Sequence, residues 1–287
     1  MCTFTFQSKP PVVPGIWRQW GPVIVGDTAD DYFGTSVALS ADAKTLVAGA
    51  PFANNYTGYV VVYRMADEGG TRTQLGQTIY GDATEDQAGY SVDITADGKT
   101  IVLGYPGNRG NDDRPGYVRV FFLESSDNLD TLSWKQRGQD IIGEAIGDRF
   151  GVSVSISKDG KMIAIGAESN DGNGEDSGHV RIFRLEDDGT SWVQIGQAIN
   201  GEAAGDRSGM SVSLSWDGET VAVGFCHNDV NGKDSGQVRV FWINSEGSSW
   251  EQLGQIMYGD KADDYMGESV YISPDGNTLA ISYPGIV

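Results

Sequence analysis

The chain has 287 residues, with 40 Asp or Glu against 20 Lys or Arg and a formal net charge of −20. That acidity excludes nucleic acid and anionic membrane surfaces as partners, since both require positive charge. A 39% hydrophobic and 10% aromatic content excludes a disordered acidic chain.

No run of 18 apolar residues occurs, so direct membrane insertion is not expected. Two cysteines, Cys2 and Cys226, are too few for a disulfide scaffold or a thiolate metal cluster. Whether they bond to each other stays open. The first ten residues show no basic stretch followed by an apolar one, so no signal peptide is visible.

In chain order, one unit recurs five times. A glycine at 34, 89, 151, 209 and 267 is followed each time by Ser-Val and preceded at −3 by Asp31, Asp86, Asp148, Asp206 and Asp264. An acid after a glycine recurs at Asp27, Asp82, Glu144, Glu202 and Asp260. The spacings of 55, 62, 58 and 58 mark a repeat array. Each unit reads as four strands. An alternating first strand such as Ser153–Ser157 is followed by an Asp-Gly hairpin at Asp97, Asp159, Asp217 and Asp275. The second strand is continuously apolar, as in Leu46-Val-Ala-Gly49. A third strand such as Gly178-His-Val-Arg-Ile-Phe183 leads to a fourth carrying Trp-x-Gln-x-Gly at Trp17, Trp134, Trp192 and Trp250. The second copy of that motif has Arg72 in place of the tryptophan.

Four antiparallel strands per 55–62 residues, with no helical period, predict an all-β propeller of five four-stranded blades in one domain over 1–287. The repeats run over 16–70, 71–130, 131–189, 190–247 and 248–287. The last stops after two strands. Thr3–Phe6 and Trp17–Gly21 supply candidates for its third and fourth, so the two ends are expected to share one blade, with residues 1–15 closing it. The alternative is a fragment of a seven-bladed ring.

The pattern Gly-Asp-x-x-x-Asp-x-Phe-Gly-x-Ser-Val, with Phe33-Gly34 and Phe150-Gly151, resembles the FG-GAP repeat of integrin α-subunit propellers. Gly49-Ala50-Pro51 supplies the rest of that repeat's name. The resemblance implies adhesion, ligand binding or a place in a larger assembly, and with it an extracellular or cell-surface location. It also implies calcium between the first two strands. Here that loop is only Asp42-Ala43 or Asp-Gly, too short for several oxygen ligands. No cofactor is therefore expected there. The one alternative calcium loop is Asp171, Asn173, Glu175 and Asp176, which alternate oxygen donors among glycines.

The −3 aspartates and the acidic loops holding Asp112, Asp113, Asp229 and Asp234 are predicted on one face. As a functional site they would take a basic partner; as a structural device each −3 aspartate would cap its own turn. Trp216 falls outside the repeat pattern, in a hairpin, and is a candidate contact residue. Gly-x-Ser-Val lacks the second glycine and the helix of a nucleophile elbow. His179 and His227 have no ligand or base partner at useful spacing. The repeats read as regular, with no break marking a catalytic position, so no catalytic residue is assigned. The expectation is a non-catalytic scaffold binding a protein partner. A glycan-binding propeller using the outer tryptophans is the alternative, and a glycosidase-type enzyme with paired carboxylates the second.

Overall fold

The computed structural model describes residues 7–8, 18–19, 21–66, 71–107, 114–124 and 132–284. Four successive sheets share one plan, with strands paired antiparallel in chain order. The first blade is Val37–Leu39, Thr45–Ala50, Tyr59–Met65 and Arg72–Gln74. The second is Ser91–Ile94, Thr100–Tyr105, Tyr117–Leu123 and Trp134–Gln136. The third is Ser153–Ile156, Met162–Ala167, His179–Leu185 and Trp192–Gln194. The fourth is Ser211–Leu214, Thr220–Phe225, Gln237–Ile243 and Trp250–Gln252. Two further ladders, Val270–Ile272 with Leu279–Ile281 and Gln7–Ser8 with Arg18–Gln19, have two strands each. The expected third strand at Thr3–Phe6 and the junction it would make lie outside the described residues.

Local chemistry sets each hairpin. In the fourth blade Asp217 Oδ1 accepts the Ser215 hydroxyl and the Glu219 N–H, while Gly218 takes φ +76°. A left-handed φ is open to glycine at little cost, so Asp-Gly fixes the turn.

Blade stacking explains the repeated small residues. A Cβ on Gly166 would lie 1.9 Å from the Gly209 carbonyl oxygen, and the pairs Gly49–Gly89, Gly104–Gly151 and Gly224–Gly267 approach equally closely. The serine of each Ser-Val then bridges the same boundary. Ser91, Ser153 and Ser211 donate to the carbonyls of Gly151, Gly209 and Gly267 at 2.7–2.8 Å. Between these polar seams the blades bury aliphatic faces: Val47, Val60 and Val62 meet Val92, Ile101 and Leu103. The third and fourth blades repeat the arrangement through Ala164, Val180 and Ile182 against Val212, Val221 and Val223. Such burial contributes roughly 25 cal/mol per Å² of apolar surface and supplies most of the stability.

Candidate functional site

The first strands of all five repeats line a central cavity of about 460 Å³. The middle residues of those strands are Ala38, Asp93, Ser155, Ser213 and Tyr271, so the repeat is broken where it faces the axis. Sequence reading missed this break. The alternation that makes each strand regular hides the identity of its axial residue among the others.

Asp93 is the one carboxylate among the cavity-lining residues. Its Oδ2 accepts the Ile156 N–H at 2.8 Å and the Ser155 hydroxyl at 3.3 Å, and its Oδ1 accepts the Ile94 N–H at 2.8 Å. Burial pushes its pKa up to about 6, against the pull of those three donors. Ser155 and Ser213 accept the N–H groups of Leu214 and Ile272 at 3.0 Å; the Ser155 proton goes to Asp93, and that of Ser213 is available to a ligand. Trp216 sits at the hairpin end of the cavity, 39% exposed, with the Lys158 ammonium 5.0 Å from its ring centroid. The structure thus joins Trp216 to Asp93 in one cavity.

The −3 aspartates are anchors of their own turns. All five are at most 5% exposed. Asp31 accepts from the Thr28 and Phe33 N–H groups and Tyr59 Oη; Asp86 accepts from the Asp82 and Ala83 N–H groups, Arg114 and Tyr117 Oη. Asp148 and Asp206 each add an asparagine side chain, Asn170 and Asn228. Asp264 accepts from Asp260 and Lys261. Buried this way, they offer no surface to a partner. The acids after glycine pair with third-strand arginines: Arg119 bridges Asp82 and Asp140 at 2.5 and 2.8 Å, Arg181 meets Glu144, and Arg239 meets Glu202. Arg119 holds the carboxyls of Asp82 and Asp140 below their ordinary range. Asp112 and Asp113 lie outside the described residues.

The alternative calcium loop spends its donors internally. Asp171 Oδ1 accepts the Asp176 N–H at 2.9 Å, and the Asn173 amide donates to the Gly201 carbonyl at 2.7 Å. Asp176 faces Arg207 at 3.9 Å, and Glu175 is exposed. The next repeat builds the same turn with Asp229, Asn231 and Asp234, where Lys233 replaces Glu175. No group of three His, Cys, Asp or Glu suited to a metal occurs among the described residues. Asp234 also accepts from His227 Nδ1 at 2.6 Å, and Asp229 is exposed.

The outer tryptophans are structural too. Trp134, Trp192 and Trp250 are 2–3% exposed and donate Nε1–H to the carbonyls of Leu75, Arg137 and Ile195 in the preceding blade. They present no face to a sugar. His179 is buried, and burial beside Arg181 lowers its pKa to about 4, so it stays neutral.

Residues 143–183 match the FG-GAP repeat family. No curated protein matches the chain in sequence. Among solved structures the chain is similar to the periplasmic gluconolactonase of Pseudomonas aeruginosa, at 20% identity and a TM-score of 0.57, over 91% of this chain and 68% of that one. It also aligns with a candidate 6-phosphogluconolactonase of Bacteroides uniformis, at 17% identity and a TM-score of 0.48, over 97% of this chain and 88% of that one. The expectations of a non-catalytic scaffold and of a chain that is no enzyme are corrected by the first of these structures, which shares the fold and is named a gluconolactonase. Adhesion and an extracellular place find no support in them. The chain is an all-β propeller in which residues 143–183 match an FG-GAP repeat.

Proposed function

We propose that this propeller is a hydrolase that opens a small cyclic ester in its central cavity, with Asp93 as general base. The observation that carries the reading is the Asp93 carboxyl, poised at about pKa 6 in the central cavity at the position where the repeat is broken. A base of that strength is ionised at neutral pH and still accepts a proton readily. The named activity of the gluconolactonase with the same fold supports the reaction class.

In this reading Asp93 takes a proton from water as the water oxygen adds to the ester carbonyl carbon. The ring C–O bond then breaks, and the departing ring oxygen takes the proton back, leaving a hydroxy acid. The Ser213 hydroxyl donates to the carbonyl oxygen as it gains charge. The Trp216 indole offers a flat apolar surface to the ring, and Lys158 beside it favours the carboxylate product.

The test is acid release from D-glucono-1,5-lactone, followed by pH-stat above the spontaneous rate. Activity should rise with pH through an apparent pKa near 6 and fall at least about 100-fold in Asp93→Asn. Turnover no faster than the spontaneous rate across a panel of five- and six-membered lactones overturns the proposal. So does an Asp93→Asn variant as active as the parent.

A further inference from the structure

We infer that Met210, Cys226 and His227 form a binding site for a soft monovalent metal ion, Cu(I), at the loop end of the fourth blade. The sequence departs from its own repeat there. Two residues after the Gly or Ser at 49, 104, 166, 224 and 282 stand Pro51, Pro106, Glu168, Cys226 and Pro284. In the fourth repeat a cysteine thus replaces the proline, with His227 next to it. Directly after the first-strand glycine, the other repeats carry Thr35, Tyr90, Val152 and Glu268, and the fourth carries Met210.

Strand pairing turns these two departures into one cluster. The Gly209 N–H donates to the Gly224 carbonyl at 3.1 Å, which brings the chain just beyond each glycine to the same end of the blade. There the Cys226 Sγ lies 3.2 Å from the Met210 Sδ. His227 lines the same pocket, with Tyr265 and Glu268 at its rim. A thiolate, a thioether and an imidazole are donors that Cu(I) selects, whereas calcium and magnesium take oxygen. Because one donor is a thioether, the cluster differs from groups built of His, Cys, Asp and Glu alone.

The imidazole is set up as a ligand. Asp234 Oδ1 accepts the Nδ1–H of His227 at 2.6 Å, so the neutral ring carries its lone pair on Nε2. A carboxylate behind the imidazole is the arrangement that orients metal-binding histidines and raises their basicity. Asp234 is itself held by its N–H, which donates to Asp229 Oδ1 at 2.7 Å. The Tyr265 ring packs edge-on against the imidazole at 5.3 Å between centroids.

The charge beside the site selects a monovalent ion. Arg207 Nη1 stands 3.5 Å from Nε2, at the limit of a hydrogen bond, and Nη2 lies 3.9 Å from Asp176. The metal takes Nε2 and leaves the guanidinium to Asp176. Binding replaces the Cys226 thiol proton, which goes to solvent, and no electron is transferred. The thiolate and Cu(I) together are neutral next to Arg207. A divalent ion would leave a net positive charge there.

The test uses the full chain with Cys2→Ser, so that Cys226 is its one thiol. Anaerobic titration with Cu(I) against bathocuproine disulfonate should show one equivalent retained by the protein. Met210→Leu, a volume-conserving change, and His227→Gln should each weaken retention at least about tenfold. Melting of the metal-free variants checks that each is folded. Ag(I), a redox-inert stand-in, should raise Tm in the parent and much less in either variant. A parent that retains no Cu(I) overturns the assignment. Equal retention by the parent and folded Met210→Leu overturns it too, by reducing the site to a single thiol. Zn(II) held as tightly as Cu(I) overturns the choice of a monovalent ion.

Discussion

The carboxylate of Asp93 accepts the backbone N–H of Ile156 at 2.8 Å across the boundary between the second and third blades. One side chain thereby joins two blades and faces the axis. The serines at the same position in the next two blades make the same bond to Leu214 and Ile272. Only the carboxylate adds a titratable charge to this stitch. Four outcomes test the account of the fold and of its axial group.

The folded-state pKa of Asp93, about 6, lies above the ordinary value of 3.8. A raised carboxyl contributes stability that is fully present below the unfolded pKa and lost as pH rises through the folded one. The loss between pH 4 and pH 7 amounts to about 2–3 kcal/mol, at about 1.4 kcal/mol per pKa unit. Urea midpoints of the parent minus those of Asp93→Asn should fall over that window, with an inflection near pH 6. A difference that stays flat with pH would remove Asp93 as the titrating group.

Trp250 is 3% exposed and its Nε1–H bonds to Ile195 at 3.1 Å, while Trp216 is 39% exposed at the cavity mouth. Trp250→Ala should cost about 3–5 kcal/mol in chemical denaturation. Trp216→Ala should cost under about 1 kcal/mol and act on ligand affinity instead. Equal losses would contradict the division between packing and cavity tryptophans.

Gly166→Ala places a methyl 1.9 Å from the Gly209 carbonyl, whereas a methyl on Gly205 meets nothing within 4 Å among the described residues. The first forces two blades apart and should cost more than about 3 kcal/mol, beyond ordinary overpacking. The second should cost about 1–2 kcal/mol, from its left-handed φ of +85° alone. Thermal melts of the two variants check the order.

Asp206 accepts from the Glu202 and Ala203 N–H groups and from Asn228, all inside the protein. Asp206→Ala strands those donors and should lower stability by about 2–4 kcal/mol. Exposed Asp229→Ala should cost about 1 kcal/mol or less, the worth of one turn bond to Asp234. Comparable, small effects at both positions would return Asp206 to the class of surface acids.

The sequence by itself determined the local architecture of this protein. Asp-Gly turns, period-two first strands and apolar second strands act within a dozen residues, so the hairpins, the strand order and the repeat were readable, and the all-β propeller with them. The role of the −3 aspartates was legible as one of two readings, and the burial of Asp206 and Asp264 chose the structural one. Only the tertiary structure decided where the chemistry lies. The cavity takes one middle residue from each of five strands that are 55–62 positions apart. Asp93 looks like any polar residue of an alternating strand until the neighbouring blades bury it and raise its pKa. The glycine of each second strand reads as a flexible position until the next blade's backbone lies against it. Local propensity is written in neighbouring residues, whereas burial, close approach and electrostatics are set by whatever the stack of blades brings together.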